Sequence, residues 1–189
     1  MIICKHLVGL AALAMAGCAG LSAQTPSKLD AGLNLVVPLE TLKTITHATG
    51  LGGFTAELGY STQIPNTTIP FRLSASVNNL PGKEVDYVKN ALLGIQGAAD
   101  VISQTGIAKI TMITGLSVNA WHWDYQDATI HTRTTMKGAK LGARFGFDYQ
   151  VNDRLTGSLM LQLVELGTDQ QAIRGYNPSW LQAGARYRF

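Results

Sequence analysis

The chain has 189 residues, 46% of them hydrophobic and only 14% charged, with 20 glycines and a formal net charge of +3. Soluble domains average about 25% charged residues, so this chain is apolar without the charged coat of a cytosolic protein. Its small positive charge, with no basic cluster and no base-stacking motif, argues against nucleic acid as a partner.

The first element is an export signal. MIICKHLVGLAALAMAGCAGLSAQ carries a positive Lys5, a short apolar stretch from Leu7 to Gly17, and then small residues. Residues 1–23 read as a signal peptide cut after Ala23, with Leu21 an imperfect outer small position. The stretch Met15-Ala16-Gly17-Cys18 offers an alternative, a lipoprotein signal over residues 1–17 with Cys18 as the lipidated residue. Both cysteines, Cys4 and Cys18, lie in this segment, so the remainder has no disulfide framework and no thiolate metal site. Residues 24–189 read as one domain. No later apolar run approaches the ~18 residues of a helical membrane span.

From Leu29 onward the pattern has period two, the spacing of strands with one apolar face. Leu29, Ala31, Leu33, Leu35 and Val37 form the first stretch, opposite Asp30 and Asn34. Phe54, Ala56, Leu58 and Tyr60 form the second, opposite Glu57. Phe71, Leu73, Ala75 and Val77 form the third, opposite Arg72, Ser74 and Ser76. Ala91, Leu93, Ile95, Ala99 and Val101 form the fourth, opposite Gln96 and Asp100. The segment from Val85 to Ile102 can also be drawn as an amphipathic helix, but Gly94 and Gly97 weaken that reading. The fifth stretch is Ile110, Met112, Leu116 and Val118, opposite Lys109, Ser117 and Asn119. The sixth runs through Ala139, Leu141, Ala143, Phe145, Phe147 and Tyr149, opposite Lys140, Arg144 and Asp148. The seventh has Leu155, Leu159, Leu161 and Leu163; the eighth has Leu181, Ala183, Ala185, Tyr187 and Phe189, opposite Arg186 and Arg188.

The gaps alternate in length. STQIPNTT, QTG and NDR are tight connections; those near 38–50, 79–87, 124–136 and 167–178 are longer. Short turns at one end and long loops at the other match the layout of a membrane barrel. Charge decides which face meets which solvent. The polar parity holds Asp30, Glu57, Arg72, Asp100, Lys109, Arg144, Asp148, Arg186 and Arg188. Eight strands enclose a lumen just wide enough for side chains to fill, and acids and bases packed there can pair. Counting across the turns places Glu57 opposite Arg72 and Asp100 opposite Lys109, and closure brings Asp30 to Arg186 or Arg188. Tyr60, Phe71, Tyr149, Tyr187 and Phe189 fall at the short-turn end. Trp121, Trp123 and Trp180 fall at the long-loop end, as two aromatic girdles would. Trp121 and Trp123 have lumen parity, so either a bulge near Gly115 switches the face or they cap the lumen.

This strand layout, the charge-lined interior and the Tyr187-x-Phe189 ending resemble the small outer-membrane barrels of the outer membrane protein A, protein X and opacity type, over residues 28–189. The resemblance implies an all-β fold, an eight-stranded antiparallel up-and-down transmembrane β-barrel with a polar, side-chain-filled lumen. It implies a bacterial outer-membrane location reached through the periplasm, contact with outer-membrane lipid, and a monomer without cofactor. Tyr187 and Phe189 resemble the C-terminal signal read by the barrel-assembly machinery. The function implied is non-enzymatic: envelope integrity, or surface attachment through four extracellular loops. A narrow pore for ions or small solutes is a second reading.

A lipid-modifying enzyme is a third. Barrels resembling lipid A deacylases need a His-x-Ser pair; His131-Thr132-Arg133 and His47-Ala48-Thr49 lack the serine. WHWDYQDATIH offers His122, Asp124, Asp127 and His131, but without the spacing of a metal site. No catalytic, cofactor-binding or metal residues are therefore expected.

Overall fold

The computed structural model describes residues 28–39, 52–82, 84–85, 88–89, 91–126, 133–164 and 179–189. Residues 1–27, which hold the expected signal segment and Cys18, lie outside them. Ten strands occur among the described residues: β1 (Lys28–Pro38), β2 (Gly53–Gln63), β3 (Pro70–Leu80), β4 (Glu84–Val85), β5 (Val88–Lys89), β6 (Ala91–Gln104), β7 (Ile110–Gln126), β8 (Arg133–Gln150), β9 (Leu155–Val164) and β10 (Ser179–Arg188). Eight of them close into an antiparallel barrel in the order β1-β10-β9-β8-β7-β6-β3-β2, and β4 and β5 form a small separate hairpin. The segment that could have been drawn as a helix is strand β6; with glycines at 94 and 97 it pairs with β3 and β7 along its length.

The barrel closes where the chain ends. β1 pairs with β10 from Asp30↔Arg188 to Pro38↔Trp180. The Phe189 N–H donates to the Leu29 carbonyl at 3.0 Å, and the Arg188 N–H donates to the Arg154 carbonyl at 2.8 Å. In lipid an unpaired strand edge has no water to satisfy it, so the last strand must zip to the first, and it does so to its terminal residue.

Parity sets the faces throughout. Leu33, Leu58, Leu116, Leu141, Phe145, Phe147 and Tyr187 project outward, exposed; Asp30, Asn34, Glu57, Arg72, Asp100, Arg144, Asp148 and Arg186 are buried inside. This inverts a soluble protein, and it has one physical reading: the outer face is solvated by acyl chains.

Two registers and one length differ from simple counting. β2 pairs with β3 about a centre between Asn66 and Thr67, so Glu57 lies opposite Ser76, and Arg72 opposite Ser61. β6 pairs with β7 about a centre between Ile107 and Ala108, so Asp100 lies opposite Gly115 rather than Lys109. Both turns hold residues in the left-handed region, Asn66 (φ 62) in the first, Gly106 (φ 79) and Lys109 (φ 67) in the second. Such turns take in more chain than the shortest hairpin; they move Glu57's partner four residues along, from Arg72 to Ser76, and Asp100's six, from Lys109 to Gly115. The third difference is length. β7 has 17 residues and β8 has 18, against the ~9–11 that a tilted strand needs to cross the hydrocarbon. Only residues 127–132 separate them, where 124–136 looks like loop in the sequence.

The β6–β7 register runs unbroken from Ala91↔Asp124 to Gln104↔Thr111. There is no bulge at Gly115, so Trp121 and Trp123 hold the same register parity as Ser117 and Asn119; their side chains lie outside the described residues.

Candidate functional site

The lumen is filled by long charged side chains that meet beside glycines. Arg72 on β3 is 1% exposed and Arg144 on β8 is 0% exposed. A Cβ at Gly59 would overlap the Arg72 guanidinium, and one at Gly32 would stand 2.7 Å from the Arg186 side chain. At these two positions the absence of a side chain is what admits an arginine from the neighbouring strand, its guanidinium at Gly59 and its aliphatic stem at Gly32.

The ion pairs run between strands that are not hydrogen-bonded to each other as well as between neighbours. Arg72 Nη2 lies 2.5 Å from Asp30 Oδ1 and 2.8 Å from Glu57 Oε1, and its Nε donates to Asp30 Oδ2 at 3.1 Å. Arg144 Nη2 donates to Glu57 Oε2 at 3.0 Å, and its Nη1 donates to Ser74 Oγ at 3.0 Å. Asp100 sits between the two arginines, 3.5 Å from Arg144 Nη1 and 3.8 Å from Arg72 Nη1. Arg186 on β10 pairs with Asp148 on β8. Thus Glu57 and Arg72 meet, though diagonally. Of the other two expectations, closure does bring Asp30 opposite Arg188, though the ion pair forms elsewhere, and the partner of Asp100 is corrected. Asp100 faces Arg72 and Arg144, because Lys109 is an exposed turn residue. Asp30 is engaged by Arg72, although its register partner is Arg188. Lys109 and Arg188 line the mouth of the lumen and are not buried within it.

A second polar layer lies farther along the same strands. Ser76 Oγ donates to Gln96 Oε1 at 3.2 Å; Gln96 Nε2 donates to Asn119 Oδ1 at 2.7 Å; Gln162 Nε2 donates to Ser117 Oγ at 2.9 Å. Toward the loop end the lumen becomes apolar, with Val36, Leu80, Val164 and Trp180 all buried.

Trp180 is therefore not part of an outer girdle. It shares parity with Gln182 and Arg186, is 3% exposed, and stands opposite Pro38 and Gln162. Height along the strand suggested the membrane interface; parity places the indole inside. At the short-turn end the aromatics do face out. Tyr149, Tyr187 and Phe189 are exposed, and Tyr60 and Phe71 are half-buried on the same face. The Tyr187 and Phe189 rings meet edge-on at 5.6 Å, and Arg154 Nη1 donates to the Tyr187 hydroxyl at 3.2 Å. Among the described residues no cluster of histidine, cysteine or carboxylates is arranged to hold a metal. Asp127 and His131 lie outside them.

A closed antiparallel barrel, apolar outside and charge-packed inside, defines a transmembrane β-barrel. The chain has the fold of the small eight-stranded outer-membrane barrels. It is similar to Neisserial surface protein A, with a TM-score of 0.56 at 14% identity over 86% of this chain and 97% of that one. It is similar to Ail, the attachment invasion locus protein of Yersinia pestis, with a TM-score of 0.57 at 11% identity over 86% and 97%. A major outer membrane protein from Thermus thermophilus matches with a TM-score of 0.54 at 13% identity over 87% and 100%. No protein-family model matches the chain, and no curated protein sequence matches it.

Proposed function

We propose that this protein is an exported, monomeric barrel of the bacterial outer membrane, without enzymatic activity. Its sealed cylinder supports the envelope and holds its connecting segments at the cell surface for attachment. The observation that carries the reading is the ion pair between Arg144 and Glu57, which spans the lumen and leaves the barrel filled where a channel would be open. With the barrel as a rigid wall, chemistry directed outward falls to the segments between strands. Two of the similar structures carry names that fit such a role, a surface protein and an attachment invasion locus protein. The exposed Tyr187 and Phe189 on the closing strand supply the end by which the assembly machinery would take up the chain.

The test replaces segments 39–52, 81–90, 127–132 and 165–178, singly and together, with short Gly-Ser turns. Heat-modifiable gel mobility should persist, because the eight barrel strands remain. Host-surface adherence or detergent resistance of expressing cells should fall. Full retention of both by the variant lacking all four segments overturns the proposal, as do long-lived single-channel currents from the intact protein in planar bilayers.

A further inference from the structure

The turn between β8 and β9 brings a cation to the lipid-facing wall. Asn152 Oδ1 accepts from the backbone N–H of Arg154 at 2.9 Å and from that of Leu155 at 2.8 Å. The Arg154 carbonyl accepts from the Arg188 N–H at 2.8 Å. Both backbone polar groups of Arg154 are thus fixed before its side chain begins. The side chain then reaches the outer face, where its Nη1 donates to the Tyr187 hydroxyl at 3.2 Å. Tyr187 has the outer parity of β10, is exposed, and meets the Phe189 ring edge-on.

The charge so placed has no counterion. Arg154 is exposed and makes no ion pair among the described residues, although Asp153 is its chain neighbour. The three arginines buried in the lumen all meet carboxylates; this one, on the opposite face, meets a phenol. A long cationic side chain held by solvation alone is free to extend into water. Here the guanidinium is tied to the aromatic girdle, where hydrocarbon gives way to headgroups. At that height the anion within reach is a lipid phosphate. Donors remain for it: the Tyr187 hydroxyl accepts from Arg154 and keeps its own hydrogen, and the guanidinium keeps its other N–H groups.

We propose that Arg154 and Tyr187 form a binding site for the phosphate of an anionic phospholipid, of the phosphatidylglycerol kind. Short turns mark the periplasmic end of such barrels, so the lipid belongs to the periplasmic leaflet. The guanidinium fork suits the phosphate oxygens, and the tyrosine hydroxyl donates to one of them. The acyl chains lie along the apolar outer face of β9 and β10, over Leu159 and Ala185. One uncompensated positive charge matches one net negative charge. A zwitterionic lipid carries an ammonium group of its own that competes for the same phosphate.

The protein is folded into phosphatidylcholine nanodiscs in which phosphatidylglycerol replaces a rising fraction of the lipid at constant ionic strength. The readouts are the NMR signal of the Arg154 side-chain Nε–H and the ratio of the two lipids retained on the protein in native mass spectrometry. The Arg154 signal should shift to saturation, and retained phosphatidylglycerol should exceed its share of the bilayer. Arg154→Gln should lower that enrichment about fivefold, the scale of one basic contact with anionic lipid. Tyr187→Phe should lower it in the same direction. Lys109→Asn, which tolerates the left-handed turn, removes a cation at the lumen mouth rather than on the outer wall, and should leave the enrichment unchanged. Heat-modifiable gel mobility of each variant tests separately that the barrel has formed. The proposal is overturned if the Arg154 signal is the same with and without phosphatidylglycerol, or if Arg154→Gln keeps the enrichment of the parent. It is also overturned if Lys109→Asn loses as much as Arg154→Gln, because charge anywhere on the rim would then suffice.

Discussion

Arg144 Nη2 lies 3.0 Å from Glu57 Oε2, and these residues stand on β8 and β2, four strands apart whichever way the barrel is counted. The contact is a strut across a diameter. Without Arg144 the buried acids Asp30, Glu57, Asp100 and Asp148 would face only Arg72 and Arg186. Removing one partner of a buried ion pair costs about 3–5 kcal/mol. Arg144→Met should therefore lower stability by that amount in urea unfolding from detergent micelles. Adding Glu57→Gln should recover part of the loss, because one of the four buried acids left sharing Arg72 and Arg186 goes too. An Arg144→Met variant as stable as the parent would show that the strut contributes nothing.

Gly59→Ala tests how the lumen was made to fit. The new methyl would collide with Arg72 Nη2, where the guanidinium is held by Asp30 and Glu57. Displacing it is an overpacking event worth about 1–3 kcal/mol. Gly97, by contrast, lies on the outer face of β6, and a Cβ there would have no neighbour within 4 Å. Gly97→Ala should be neutral, or stabilising by up to about 1 kcal/mol through reduced chain entropy. Equal losses at the two positions would contradict the packing described for Arg72.

Leu116 and Ile107 are both exposed, 69% and 63%, yet they should respond differently to charge. Leu116 lies midway along β7, opposite Ala99 and Ala143. Ile107 lies in the turn between β6 and β7. In lipid, Leu116→Arg should cost about 2–4 kcal/mol and Ile107→Arg about 0–1 kcal/mol. Folding equilibria in phospholipid vesicles measure both. Similar small costs at the two sites would mean that water, not hydrocarbon, covers β7.

Period-two patterning made the faces legible because it is local: a residue's parity needs only its neighbours. All eight apolar stretches face outward, and seven of the nine charged residues read as lining the lumen are buried in it. Register was not legible, because it depends on turn conformation. Nothing in QTG announces that Lys109 will adopt a positive φ and carry Asp100 past it to Gly115. Cross-lumen partners were less legible still. Asp148 and Arg186 lie on strands separated by β9, and no rule of adjacent pairing brings them together. The glycines at 32 and 59 held the missing signal: small residues of lumen parity mark where a long side chain from elsewhere must fit.

Trp180 offers a spectroscopic check on that inside-out order. Its indole is buried in the loop-end part of the lumen, while its neighbour Leu181 has the outer parity. Phe replacements at Trp121 and Trp123 leave Trp180 as the sole tryptophan of a chain with three. In vesicles of brominated phosphatidylcholine its fluorescence should fall only slightly, because the barrel wall separates the ring from the acyl chains. Moving the probe one residue, by Trp180→Phe with Leu181→Trp, should produce strong quenching. One step along a strand reverses the face, so the two variants differ in solvent and hardly in height. Strong quenching of Trp180 itself would put the indole in the lipid and return it to the girdle.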